Sequence, residues 1–242
     1  MNPTALLECV SSMSCIVTQL STGLIVGALL FLVAAGLTLI FGVLGIVNFA
    51  HGSFYMLGAY LALTAYRFSG SFFIAILAAG VGVGLFGLIF ERFFMRRVYN
   101  ADVLMQLLVC YALVLMMDDL VKIVWGAEFQ SMGMPDAFQA PPLFILGGIV
   151  PLFYVYLIGA AVLIALVLWA ILNHTLMGKI VRAAAQNPTM TSALGLNTSL
   201  IYAGVFAFGG ALAGMAGGLA APVRSMSPGM GFSILIESFK IG

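Results

Sequence analysis

An all-α, polytopic membrane helical bundle is what this sequence predicts, and three observations carry that prediction. Of its 242 residues 63% are hydrophobic and 7% charged, against about 25% charged in a soluble domain. Apolar runs of the roughly 20 residues that cross a bilayer recur along the chain, giving six to seven transmembrane segments. The connections between them are short, so the whole of 1–242 reads as one membrane domain. Net charge is +1, which argues against a nucleic-acid partner. Cys9, Cys15 and Cys110 are too few and too scattered for a disulfide framework or a metal set and read as apolar filler. Nothing resembles GxxxxGK[ST], so any ATP would be bound by another chain.

The first residues, MNPTALLECVSSMSC, carry Glu8 and no basic n-region, unlike a cleaved signal peptide. The runs fall at about 19–44, 46–66, 72–93, 103–125, 151–172 and 200–221, with another opening at 232. The first two are joined by a broken helix near 42–52, where Gly42 and Gly45 weaken the helix. At that depth stand Asn48, His51 and Ser53, and an unpartnered amide or imidazole in hydrocarbon costs several kcal/mol. On a helix Asn48, His51, Gly52, Tyr55, Ala59 and Ala62 share one small, partly polar face. Two readings stand: half-helices lining a binding site or pathway, or hydrogen bonds that only set packing.

Residues 126–150, with Pro141 and Pro142, read as an external loop. Asp118 and Lys122, four apart, are placed to pair. Glycines four apart (Gly23/Gly27, Gly80/Gly84, Gly210/Gly214, Gly214/Gly218) allow close helix approach. The run 204–221, nearly all small, belongs in the middle of the bundle. Placing the N-terminus outside puts Arg92, Arg96, Arg97, Lys179, Arg182 and Lys240 on the cytoplasmic side, against Arg67, Lys122 and Arg224 outside or near the outer interface.

The longest polar interruption, 173–199, is more structured than a linker. Residues 177–186 are helix formers. Asn187 supplies an N-cap, Pro188 an N1 residue and Gly195 a C′ stop, spelling a second helix of about two turns. Met190, Ala193, Leu194 and Leu196 offer apolar contacts, either to a partner's groove or to this chain's own bundle.

Two blocks, GLTLIFGVLGIVNFAHGSFYMLGAY (36–60) and GKIVRAAAQNPTMTSALGLN (178–197) followed by FAFGGALAGMAGGL (206–219), resemble the membrane permease subunits of ABC importers for branched-chain amino acids and related solutes such as urea and amides. The likeness covers nearly the whole chain. It implies a subunit of an ATP-driven importer in the bacterial inner membrane that forms half of a translocation pathway and carries no covalent chemistry or cofactor. The partners implied are a second homologous permease, two cytoplasmic ATP-binding subunits holding ATP and Mg, a periplasmic solute-binding protein and the lipid bilayer. The 173–199 loop would be a cytoplasmic coupling-helix hairpin, in which Gly178, Arg182, Ala183, Pro188, Ala193, Leu194 and Gly195 match the motif. Asn48, His51, Gly52, Ser53 and Tyr55 are the candidate pathway residues. The chain departs from the pattern at Gln186-Asn187, where an acidic residue is common, and the family runs on beyond 242, which implies a C-terminally truncated chain.

An ATP-independent secondary transporter or channel is the alternative. It would want an intramembrane carboxylate, whereas the acidic residues stand near span ends, in loops or, for Glu237, in the final segment. An intramembrane enzyme fits less well. His51 and Ser53, two apart, do not face each other on a helix, and no GxSxG elbow is present. The solute class, whether amino acid, urea, amide or aromatic acid, is not fixed by these residues.

Overall fold

A computed structural model describes residues 12–99, 101–139, 141–145 and 147–239. Helix α1 (Met13–Leu44) is 32 residues long, roughly 48 Å at 1.5 Å per residue. It stops where Gly45 adopts φ 69° and returns its N–H to the Phe41 carbonyl, a left-handed C-terminus that glycine makes without steric penalty. The next helix, α2 (His51–Ser69), begins later than the apolar run at 46 suggests. Asn48 turns the chain first, its Oδ1 accepting from the Ala50 amide at 3.1 Å while its carbonyl accepts from the His51 amide at 3.1 Å. The expected break is therefore a turn of about six non-helical residues, 45–50.

Helix α3 (Phe72–Phe90) continues through a π-helical turn (Glu91–Met95) and a last turn (Arg96–Val98). Helix α4 (Val103–Trp125) follows. Helix α5 (Leu152–His174), the pair α6 (Leu176–Gln186) and α7 (Pro188–Ala193), α8 (Thr198–Ala220) and α9 (Met230–Phe239) complete the chain. The segment 126–150 is not wholly irregular. Strands β1 (Leu143–Ile145) and β2 (Gly148–Val150) pair antiparallel with Phe144 opposite Ile149, so the all-α expectation needs this small correction. Gly147, at φ 82°, makes the turn between them.

Helix α8 is the axis of the bundle, with α3, α2 and α1 packed around it. Its small residues explain why. Side chains added at Gly210 and Gly214 would press on Phe54, Val83 and Ala79, and one at Gly218 on Ala62 and Ala79. Backbones can approach that closely only without side chains between them. The Gly23/Gly27 pair looks identical in sequence, yet nothing lies within 4 Å of either position. That pair is not at a close helix contact.

Among the described residues four helices are long and apolar enough to cross a membrane: Met13–Leu44, Phe72–Val98, Leu152–His174 and Thr198–Ala220. Helix α2, with His51, Ser53 and Arg67, and α4, with Asp118, Asp119 and Lys122, are not among them. This is a helical membrane protein.

The charged residues sort by end. Tyr99, just past the α3 arginines, meets Tyr202 of α8 with ring centroids 5.8 Å apart. Arg92, Arg96 and Arg97 thus share an end with Lys179 and Arg182 of α6. Arg67 donates to Gln130 at 3.1 Å at the opposite end, where Lys122 pairs with Asp119 at 2.9 Å rather than with the expected Asp118. Lys240 and Cys9 lie outside the described residues. Cys15 is disulfide-bonded, not the apolar filler its isolation suggests.

Candidate functional site

The first turns of α2 are enclosed by protein. Asn48, His51 and Ser53 are all buried, as are Gly52 and Tyr55. His51 reaches back about three turns into α1 and stands 3.1 Å from the Val33 carbonyl. A carbonyl only accepts, so Nε2 carries the proton and donates. In the neutral ring, Nδ1 is then left as an acceptor. Gly36 makes room for this, since a side chain there would sit 3.0 Å from His51 Nε2 and 2.7 Å from the Gly209 carbonyl.

Hydrogen bonding at this start is incomplete. Among the described residues Asn48 Nδ2, His51 Nδ1 and Ser53 Oγ have no partner, and neither does the Tyr60 hydroxyl two turns on. Buried polar groups are nearly always satisfied, and an orphaned one forfeits about 1–3 kcal/mol. Three orphans within six residues, at the electropositive start of a helix, give the site a capacity for polar ligands that packing alone leaves unused. Asn48 Oδ1 is further engaged by the Cys110 thiol of α4 at 3.7 Å. Cys110 in turn lies against Met95, inside the π-helical turn, at 3.9 Å. Such turns often accompany functional positions.

A second helix start meets this one. At Gly52 a side chain would collide with the Gly231 carbonyl of α9, and at Gly231 with the Gly52 carbonyl. Tyr55, one turn on, faces a cavity of about 290 Å³ with Arg224, Met230 and Ile234. Of the sequence-expected residues, the structure gathers Asn48, His51, Gly52, Ser53 and Tyr55 into one buried region. Spacing in the sequence did not reveal that Gly231 and Arg224 join them. The signal available was the glycine-rich SPGMG (227–231) across the start of α9, a second helix start written like the first.

The hairpin at the other end is built as its caps dictate. Thr175 Oγ1 accepts from the Gly178 amide at 3.1 Å, and Asn187 Oδ1 from the Met190 amide at 2.9 Å. Gly195, at φ 83°, ends the turn. Gly178 packs so tightly on the Ile171 and Leu172 carbonyls that any side chain there would overlap them. Arg182 Nη1 donates to Asn173 Oδ1 at 3.0 Å, tying α6 to the end of α5. Thr191 is buried, whereas Met190 is 61% and Leu194 74% exposed, and Ala193 is exposed beside them. Pro188 starts α7, and Ala183 lies exposed in α6. The buried side faces the bundle and the apolar tip faces away. Among the described residues no cluster of His, Cys, Asp or Glu is placed to hold a metal ion.

A membrane bundle with a buried, under-satisfied polar helix start and a capped amphipathic hairpin at one end has the make-up of a transport subunit. The family model described as branched-chain amino acid transport system / permease component matches residues 19–242, and the chain belongs to that family. It is 28% identical to the high-affinity branched-chain amino acid transport system permease protein BraD of Pseudomonas aeruginosa, over 91% of this chain and 76% of the relative. Against LivH of Escherichia coli, of the same description, identity is 27% over the same shares. Against a probable branched-chain amino acid transport permease of Methanocaldococcus jannaschii it is 28%, over 91% and 71%. No solved structure matches the chain.

Proposed function

We propose that this chain is the permease subunit of an ATP-driven importer and forms half of the pathway for branched-chain amino acids or close analogues. The observation that carries this is the α2 start, where Asn48, His51 and Ser53 hold unsatisfied polar atoms inside a membrane bundle, in a chain matched by the permease family over 19–242. Intramembrane polar groups left open in this way mark solute pathways. The pathway residues are Asn48, His51, Gly52, Ser53 and Tyr55. A second permease of the same kind completes the pathway.

In the same proposal α6 and α7 form the element that docks a cytoplasmic ATP-binding subunit. Their exposed Met190, Ala193 and Leu194 are the knob, and Gly178, Arg182, Ala183, Pro188 and Gly195 are its frame. Two such subunits bind ATP and Mg, and a periplasmic solute-binding protein delivers the solute. The basic cluster Arg92, Arg96, Arg97, Lys179 and Arg182 faces the cytoplasm of a cell with an inner membrane, and six to seven segments cross. The disulfide at Cys15, on the opposite end, suits an oxidising compartment and so a periplasmic N-terminus.

The test is reconstitution of the full complex in liposomes with the binding protein outside and ATP inside. ATP-dependent leucine uptake is expected. His51→Ala should abolish most of it while the complex still co-purifies with its ATP-binding subunit. Uptake by the purified chain alone without ATP would overturn the importer reading in favour of a secondary transporter.

A further inference from the structure

Beyond the α2 start, the loop after α8 and the body of α9 bring together two opposite charges that no packing role uses fully. Arg224 Nη2 and Glu237 Oε2 are 3.8 Å apart, with side chains 46% and 42% exposed. That separation is beyond hydrogen-bond length, so the two groups face each other without closing on one another. The Arg224 guanidinium also lies beside the Tyr55 hydroxyl. It lines the 290 Å³ cavity whose other walls include Ala59, Val223, Met226, Met230 and Ile234. The chamber is thus lined mostly by apolar residues with Arg224 as its cation, and Glu237, outside the lining, stands 3.8 Å from that guanidinium.

We propose that this cavity is a subsite for a single small aliphatic amino acid, with Arg224 receiving the α-carboxylate and Glu237 the α-ammonium. The proposal rests on the permease reading and names a site for its solute. A guanidinium offers a fork of donors that matches a carboxylate. A zwitterion lying across the open side of the 3.8 Å Arg224–Glu237 pair would set its carboxylate against the guanidinium and its ammonium against the Glu237 carboxylate, adding to the pair rather than separating it. The cavity is at the small end of ligand pockets, which suits one amino acid and excludes a peptide. Tyr55 joins it to the α2 start, one helical turn from His51 and Gly52, so a solute released here enters the region of orphaned polar atoms. The competing role is a structural ion pair bracing α9 against α8.

The test is protection of a cysteine in the cavity wall. Ser225→Cys lines the cavity. Its rate of reaction with a maleimide is measured on the full purified complex, as the excess over the same complex without the substitution. Leucine should slow the reaction in a saturable way, and leucinamide, which lacks the carboxylate, should not. Adding Arg224→Gln should raise the half-protecting leucine concentration by about tenfold or more, with Arg224→Lys in between. Glu237→Gln should weaken protection while leaving discrimination between leucine and leucinamide intact. Protection by both compounds alike, protection unchanged in Arg224→Gln, or none in the parent would overturn the subsite. Uptake and ATP dependence are read separately on the complex without Ser225→Cys. A failed importer reading therefore shows as absent uptake, and a failed subsite as intact uptake without protection.

Discussion

At Gly52 and Gly27 the same residue type has opposite consequences, because one is a point of contact between backbones and the other is open. A methyl at position 52 would collide with the Gly231 carbonyl, whereas at position 27 it meets nothing within 4 Å. Gly52→Ala is expected to destabilise the purified protein by about 1–3 kcal/mol, the range for overpacking. Gly27→Ala should leave the melting temperature unchanged or slightly raised, since alanine favours helix. Equal effects at the two positions would contradict the packing of α9 on α2. The sequence marks both glycines, and the G-x-x-x-G spacing at Gly23/Gly27 looks the better motif of the two. Spacing records which face is small, not which face has a neighbour. His51 and Asn48 were legible for a stronger reason: polar groups in an apolar run are improbable unless something answers them. What could not be read was the partner, since Val33 and Cys110 are 18 and 62 residues away.

Among the elements, the α6–α7 hairpin was the most legible, because its structure is decided by local chemistry. Thr175, Asn187, Pro188 and Gly195 each settle a boundary within four residues of themselves, and the observed helices Leu176–Gln186 and Pro188–Ala193 end where those residues require. A two-turn helix is marginal in isolation. Here the buried Thr191 and the tie from Arg182 to Asn173 hold it in place. Its exposed tip can therefore be changed without touching those supports. Leu194→Asp should shift stability by no more than about 0.5 kcal/mol, as exposed substitutions do. It should nonetheless separate ATP hydrolysis from leucine uptake in the reconstituted complex. If uptake per ATP stays the same, the hairpin is not the coupling element. The β1–β2 hairpin was not legible. Its three-residue strands are too short for a period-2 pattern to register, and its place is set by α1, against which Gly148 packs at Val17.

For the molecule as a whole, the arrangement of charge makes a statement about orientation that can be checked directly. Arg92, Arg96, Arg97, Lys179 and Arg182 gather at the end bearing α6 and α7, while Arg67, Lys122 and Arg224 are at the end bearing β1 and β2. The bias of lysine and arginine toward short cytoplasmic connections is the ground on which the proposed orientation takes the first end as the inner one. Helix direction agrees internally. Glycine contacts run Gly210 to Phe54 and Gly218 to Ala62, so α2 and α8 point the same way, while Gly214 against Ala79 and Gly84 against Ala207 set α3 against them. Cysteines introduced at Ser131, in the segment before the β1–β2 hairpin, and at Ser192, in exposed α7, should then label from opposite sides of intact cells. The first should react with an impermeant maleimide in whole cells and the second only after permeabilisation. The reverse pattern would invert the orientation and move the α6–α7 tip away from any cytoplasmic partner. Labelling of both from outside would mean that the chain does not cross the membrane between them. The long helix between Ser131 and Ser192 is α5 (Leu152–His174), so that outcome would single out α5 as lying along the bundle rather than through it.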